Sequence, residues 1–484
     1  MPTILGAGDQ TSGYEISNSL RFNAPDSASL KKTNGSAGNQ QTMTFSFWVK
    51  RSIIAEDFGG GGIFGCGTAD GNEWNWTFRS NVMDIRWEMT DGTQGDIRTS
   101  PKNRDVSGWT NFVLALDTTS GTTANRIRFY QDGSEITAFD EAAYPGQNKN
   151  FKINGTVEQE IGRFPRSDKT LIGYLADFYF IDGSALTPAS FGETNNEGIW
   201  IPKDAKDDLT FGTNGYFLEF KQTGTSANSS GMGADTSGND NHWTPSNLES
   251  HDVTTDTPTN NFCTLNTNFR SNMTCVEGAT KLANGTDNNT MIATQHSRAG
   301  YFEAKYGGVA LSNGAGFRVG IVSWDDHYGR DGDGTSLTYN STGDLFWLNN
   351  TDSSQYRKHT PNTTTNLGTS KWNAPTTSDI VGVAWRIDSP NGIWFAVNGT
   401  WYNGSGSAST TLDESNPDFT INDKFYIPII ISSLTGGNDC VMNFGNPPYS
   451  NSSSNSDAGG YGDFEYAVPD GFYALNTKNL AKYG

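Results

Sequence analysis

Short segments in which apolar and polar side chains alternate recur through the chain, and many of them end at a Gly, Asn or Asp step. Period-two patterning puts every second side chain on one face of a strand, so such a chain folds by pairing strands into sheets and packing their apolar faces together. Thr44-Phe45-Ser46-Phe47-Trp48-Val49-Lys50 places Phe45, Phe47 and Val49 on one face. Residues 109–116, WTNFVLAL, read as a strand buried on both faces. Arg126-Ile127-Arg128-Phe129-Tyr130-Gln131 runs into Asp132-Gly133 and then Glu135-Ile136-Thr137, a two-residue hairpin signal. Leu175–Ile181 meets Asp182-Gly183 in the same way, and a short helical turn follows with Thr187 as its cap and Pro188 at its first position. Residues 379–387, DIVGVAWRI, and 392–398, GIWFAVN, predict a second hairpin, and 427–431 and 440–444 continue the series. No helix-period segment of ten or more residues interrupts it, so the expected class is all-β.

A length of 484 residues allows roughly two to four domains. Richness in aromatics (12%) together with 56 glycines suits many short strands joined by tight turns. The formal charge of -20, from 53 acidic and 33 basic residues, disfavours nucleic acid and anionic lipid as partners. No apolar run approaches the roughly 18 residues of a membrane helix, so membrane insertion is not expected. The start, MPTILGAGDQTSGYE, lacks a basic region and a long apolar core and is not read as a signal peptide. Cys66, Cys263, Cys275 and Cys440 form no C-x-x-C pair; a Cys263–Cys275 bridge stays open, but free thiols packed as small hydrophobes are expected. Residues 222–261 are almost devoid of apolar side chains, although Trp243 and Leu248 suggest that part of them docks on a domain. The expected organisation is a 1–14 N-terminal anchoring peptide, a 15–225 domain, a 226–262 polar linker and a 263–484 domain.

Residues 15–220 resemble the concanavalin A-like, laminin-G-type jelly roll. The resemblance rests on Ser19-Leu20-Arg21-Phe22, TFSFWVKR at 44–51, Gly108-Trp109, RFYQDG at 128–133 and IGYLADFYFIDGSALT at 172–187. In that family the DG turn and the G-x-h-x-D-h-x-h strand (h, hydrophobic) are frame elements. Residues 298–480 resemble a SPRY-type sandwich through GYFEAKY, GFRVGIVSWD, DIVGVAWRID, GIWFAVNGTW, FYIPIIIS and CVMNFG, with the Val397-Asn398-Gly399 turn the most specific match. That family binds proteins through loops at one end of the sandwich. The two together, joined by TDTPTNNFCTLN at 255–266, resemble structural proteins of bacteriophages of aquatic bacteria. The expected fold is two antiparallel β-sandwich (jelly-roll, concanavalin A-like) domains in series.

Glucanases share the jelly-roll superfamily, and retaining hydrolysis needs two carboxylates about 5 Å apart on one face. No E-x-D-x-x-E pattern occurs; Glu158 and Glu160 share a strand face without a third partner, and Asp84 and Glu88 are spaced i, i+4. The five histidines form no H-x-x-H or H-x-E pattern, and the Gly59–Gly62 run lacks the Lys-Ser/Thr of a phosphate loop. No catalytic residue is therefore assigned. Hard oxygen ligands concentrate at Asp325, Asp326, Asp331 and Asp333, so calcium is the one cofactor the pattern admits, and none is required. Asp70-Gly71-Asn72-Glu73 is a weaker copy of the same pattern. For binding, Trp74 and Trp76 lie two apart beside Asn72, and Trp324, Tyr328 and Arg330 fall in a loop at the end that the SPRY resemblance makes the binding end. Trp401-Tyr402 is a further candidate. Stacking of aromatic faces on sugar rings is the chemistry these residues offer, against the alternative that they are core.

The expected function is that of a phage virion structural protein, a tail fibre or capsid-attached appendage with a host-recognition or glycan-binding role. A purely architectural decoration or cement protein and a polysaccharide depolymerase are the alternatives. Expected partners are other virion proteins through the N-terminal segment, a host surface glycan or protein, and further copies of the chain in a homo-oligomer. The expected location is the particle surface, after synthesis in the host cytoplasm.

Overall fold

The computed structural model describes residues 13–54, 61–69, 72–164, 169–269, 274–283, 289–307, 317–324, 344–349, 356–360, 363–366, 375–403, 405, 407–432 and 439–484. The chain divides into two compact units, with the division between Asn261 and Phe262.

In the first unit two eight-stranded antiparallel sheets pack face to face. One runs Ser134–Ile136, Ile127–Gln131, Thr110–Asp117, Thr42–Arg51, Gly173–Asp182, Ser19–Phe22 and Val253–Thr254, with Tyr216–Leu218 also paired to Gly173–Asp182. The other runs Phe139–Ala142, Gln94–Thr99, Val82–Glu88, Asn72–Arg79, Gly62–Ala69, Glu158–Ile161, Ser29–Thr33 and Thr244–Ser246. The alternation of Thr42–Arg51 sends Phe45 and Phe47 inward, where Phe47 lies 4.7 Å from the Trp76 ring and 5.1 Å from Phe178. Trp74 and Trp76 are wholly buried in this core. Aromatics of this size each remove about 150–250 Å² from water, so this cluster dominates the stability of the unit.

Turn chemistry explains the connections. Asp132 (φ 45°) and Gly133 (φ 77°) make the two-residue turn that pairs Gln131 with Ser134. The Asp132 carboxylate accepts the Asn111 N–H at 2.9 Å, and burial lifts its pKa to about 6. Asp182-Gly183, expected as a second hairpin of this kind, is instead a tie point. The Asp182 carboxylate accepts from Asn39 N at 2.7 Å, Asn154 Nδ2 at 2.7 Å and Asn214 N at 3.0 Å, fastening three loops to one strand end. The Asp of the G-x-h-x-D motif, Asp177, sits in a β-bulge (φ 43°) between Ala176 and Tyr179, where it accepts the Tyr14 hydroxyl at 2.8 Å.

The expected 226–262 linker does not link. It is a strap that belongs to the first unit: Met232 and Trp243 are fully buried, and the Trp243 ring meets Tyr216 at 5.1 Å. Thr244–Ser246 pairs with Ser29–Thr33 in one sheet and Val253–Thr254 pairs with Ser19–Phe22 in the other. Two buried ion pairs hold it, Arg21 to Asp252 at 3.3 Å and Lys50 to Asp256 at 2.8 Å. Polar composition misled because the strap is bound mainly through hydrogen bonds and charges, with Trp243 and Met232 as its apolar anchors.

The second unit is a sandwich of an eight-stranded and a six-stranded antiparallel sheet. The larger runs Thr274–Val276, Lys281–Ala283, Asp439–Asn443, Ala299–Tyr306, Ile380–Arg386, Gly392–Val397, Thr400–Tyr402 and Ala408–Ser409. The smaller runs Asn289–Ile292, Tyr426–Ser432, Phe317–Ser323, Leu345–Asn349, Tyr356–Thr360 and Thr363–Asn366. The predicted 379–398 hairpin is present, and Asn398 (φ 50°) with Gly399 (φ 71°) turns Val397 onto Thr400. A second apolar cluster of Tyr301, Trp394, Trp401, Phe464 and Phe472 joins the larger sheet to the 464–474 segment. The helix Thr477–Tyr483 ends the chain, with Asn476 accepting the Asn479 N–H as its cap.

All four cysteines are free thiols and buried. Burial pushes Cys66 and Cys275 up to about 12, so they behave as small apolar side chains.

Candidate functional site

Three of the aromatic candidates, Trp74, Trp76 and Trp401, lie in apolar cores, whereas Trp324 is half-buried. Trp74 and Trp76 alternate with Glu73, Asn75 and Thr77 on the central strand Asn72–Arg79, so their rings enter the core and neither can stack on a ligand. Trp401 is also buried, 6.4 Å from the Tyr301 ring, while Tyr402 next to it is half-buried. The backbone of Asn72 pairs with Ala69 across a hairpin. Tyr328, Arg330, Asp325, Asp326, Asp331, Asp333 and Asp70-Gly71 lie outside the described residues. Among the described residues no group of three or more His, Cys, Asp or Glu side chains is placed to hold a metal ion.

Trp324 is different. It is half-buried at the end of Phe317–Ser323, and its N–H donates to the Phe425 carbonyl at 2.7 Å. Ser297 exchanges two 2.9 Å backbone bonds with Tyr426, which brings His296 to the same place. The His296 ring lies 4.8 Å from Trp324 and 5.2 Å, edge to face, from Phe425. Phe425 is 42% exposed, the single large hydrophobic among the described residues to stand so far out. Arg298 reaches to 5.9 Å of the Phe425 ring, with Asp423 at 3.1 Å and Asp388 at 3.7 Å from its guanidinium. The result is an aromatic platform of three rings with one cation and two carboxylates at its edge. The sequence reading named Trp324 and missed His296, Arg298 and Phe425, which come from strand ends about 30 and 100 residues away.

Of the acidic residues weighed for hydrolysis, Glu160, Glu88 and Asp84 are engaged with bases. Glu160, 1% exposed, meets Lys31 at 3.2 Å and Arg163 at 3.3 Å, while Glu158 is exposed. Glu88 meets Lys152 at 2.5 Å and accepts the Glu73 N–H, and Glu73 meets Arg86 at 3.2 Å. Asp84 lies between Arg98 at 3.6 Å and Arg79 at 3.7 Å; burial outweighs these cations and lifts its pKa to about 6. In the second unit the buried Glu303 accepts from Tyr301 Oη, Asn443 Nδ2 and the N–H groups of Glu465 and Tyr466. That saturated carboxylate ties the closing segment to its sheet.

Comparison with known proteins bears on the first unit. Residues 24–190 match a laminin-G-type sequence family described as the concanavalin A-like lectin/glucanases superfamily. Similar solved structures include the heptameric SAP-like pentraxin of Limulus polyphemus, 15% identical with a TM-score of 0.27, over 36% of this chain and 80% of that one. Another is the LG4-5 pair of the mouse laminin alpha1 chain, 7% identical with a TM-score of 0.28, over 97% of this chain and 99% of that one. No curated protein matches the chain. The fold is all-β, and residues 24–190 carry its concanavalin A-like, laminin-G-type jelly roll.

Proposed function

We propose that this chain is a non-catalytic recognition protein, carried on a bacteriophage particle as a tail fibre or capsid-attached appendage, that binds a host-surface glycan through the second sandwich. The observation that carries the binding reading is the platform of Trp324, His296 and Phe425. Exposed aromatic faces stack on the C–H faces of sugar rings, and the charged groups around Arg298 offer directional hydrogen bonds to hydroxyls. A laminin-G-type first unit fits carbohydrate or protein binding, and the ion-paired acids of that unit favour binding over hydrolysis. The virion part of the reading is supported by the resemblance carried by the order of sequence features, including TDTPTNNFCTLN at 255–266. Anchoring through residues 1–14, homo-oligomerisation, a SPRY-type identity for the second unit and calcium at Asp325, Asp326, Asp331 and Asp333 belong to the same proposal.

Binding of the purified chain to host cells and to a glycan array tests it. Phe425→Ala and Trp324→Ala are expected to weaken binding by about tenfold or more, as loss of a stacking face does. Phe425→Ala should leave the melting temperature nearly unchanged, because the ring is exposed. If the intact chain binds neither cells nor glycans, or if both variants bind as the parent does, the proposal is wrong. Release of reducing ends from host polysaccharide would replace it with a depolymerase.

A further inference from the structure

The first unit holds a cavity of about 260 Å³ at one end of the sandwich, lined among others by Arg51, Phe78, Lys102, Asn103, Arg104 and Asp105. Arg51 ends the strand Thr42–Arg51 and is only 4% exposed. Its guanidinium lies 4.2 Å over the Phe78 ring, and Nη1 donates to the Asn103 carbonyl at 2.5 Å. These two contacts fix the plane and one corner of the group. The remaining edge, Nε with Nη2, is buried and finds no hydrogen-bond acceptor among the described residues. The side-chain amide nitrogen of Asn103 is in the same condition. A buried charged donor without an acceptor costs several times what a made hydrogen bond contributes. These donors adjoin the cavity without opening onto it, so a small shift of the Arg51 and Asn103 side chains toward a ligand there would supply the missing acceptor.

The nature of that partner follows from the donors. Nε and Nη2 form the parallel two-pronged edge of a guanidinium, which matches the two oxygens of a carboxylate. Burial lowers Arg51 to about 10, still protonated at neutral pH. Lys102 and Arg104 add positive charge at the rim, whereas the Asp105 carboxylate is turned to Ser107, accepting its N–H at 2.7 Å and its hydroxyl at 2.6 Å. In a chain of formal charge -20, this is a local excess of cations around a cavity with Phe78, Val49 and Phe112 as apolar walls. The volume falls below the roughly 300–1,000 Å³ of pockets for drug-sized ligands and suits a single sugar ring.

We propose that this cavity is a carboxylate-binding site, in which Arg51 grips the acid group of a hexuronate-sized ligand through Nε and Nη2 while Asn103 Nδ2 donates a further hydrogen bond. The site is separate from the aromatic platform and does not depend on it. Calorimetric titration of the intact chain with glucuronate, and with methyl glucoside as the uncharged counterpart, tests the proposal. Saturable binding is expected for glucuronate alone. Arg51→Lys keeps the charge and loses the fork, and should weaken binding about tenfold or more, the value of one hydrogen bond to a charged group. Asn103→Ala should weaken it several-fold and provides the reading if the Arg51 variant fails to fold. Equal binding of methyl glucoside, tighter binding of inorganic sulfate or phosphate, no saturable binding of glucuronate, or undiminished binding by both variants would each overturn it.

Discussion

Removing the Asp256 carboxylate is the most direct way to learn whether residues 222–261 are part of the first sandwich. Lys50 and Asp256 have side chains 0% and 1% exposed, and their charges meet at 2.8 Å. The same ammonium donates to Asn261 Oδ1 at 2.7 Å, and the second oxygen of Asp256 accepts the Trp109 indole N–H at 3.1 Å. Asp256→Ala therefore strips a buried ammonium of its counter-ion and leaves an indole donor without its acceptor. Breaking one side of a buried pair typically costs about 3–5 kcal/mol. For a unit of this size each kcal/mol is worth roughly 2–4 °C, so the first unit should melt about 10 °C lower in differential scanning calorimetry. Lys50→Met with Asp256→Leu, which removes both charges, should recover most of the loss, because well-packed apolar replacements of buried pairs are often neutral. Limited proteolysis of Asp256→Ala should cut first within 222–261. A loss under about 1 kcal/mol would refute the reasoning, since it would mean that the pair is hydrated and the strap only loosely held.

Other outcomes follow from burial. Trp74→Ala should cost about 3–5 kcal/mol in urea unfolding, whereas Trp74→Phe should cost less, because the indole N–H has no acceptor among the described residues. Burial raises the Asp177 carboxyl from 3.8 to about 7, so the folded chain holds a proton that the unfolded chain has released. That contribution is fully present below about pH 4 and is lost as pH rises to about 7, with a ceiling of about 4 kcal/mol. Asp177→Asn should flatten this part of the curve of urea midpoint against pH. The native chain should resist alkylation by iodoacetamide and take up four equivalents once denatured, whereas fewer than four would indicate a disulfide.

The strands and their turns were legible because they depend on local rules: period-two alternation in Thr42–Arg51, Asp-Gly at 132–133 and Asn-Gly at 398–399. Even the burial of Trp74 and Trp76 was written in the sequence, since Trp74, Trp76 and Phe78 alternate with Glu73, Asn75 and Thr77 as a core face does. The paired tryptophans beside Asn72 suggested a ligand surface only because the strand's place at the centre of a sheet is not a local property. What stayed hidden was long-range. Lys50 meets Asp256 across 206 residues, and Asp182 gathers loops from residues 39, 154 and 214. Trp324 gains Phe425 and His296 as neighbours only once the strand ends are side by side. Arg51 gave no sign either, because a cation closing a strand is usually solvated.

The strap's two short strands have a consequence for how the protein behaves in a crowd. Thr244–Ser246 lies at the border of one sheet and Val253–Thr254 at the border of the other, so a single stretch of chain covers the outer hydrogen-bonding groups of Ser29–Thr33 and Ser19–Phe22. Uncovered borders of this kind recruit strands from neighbouring molecules. The chain in effect donates its own strands to both, so nicking the strap should yield aggregates joined strand to strand, through one or both bared borders, before it yields an unfolded monomer.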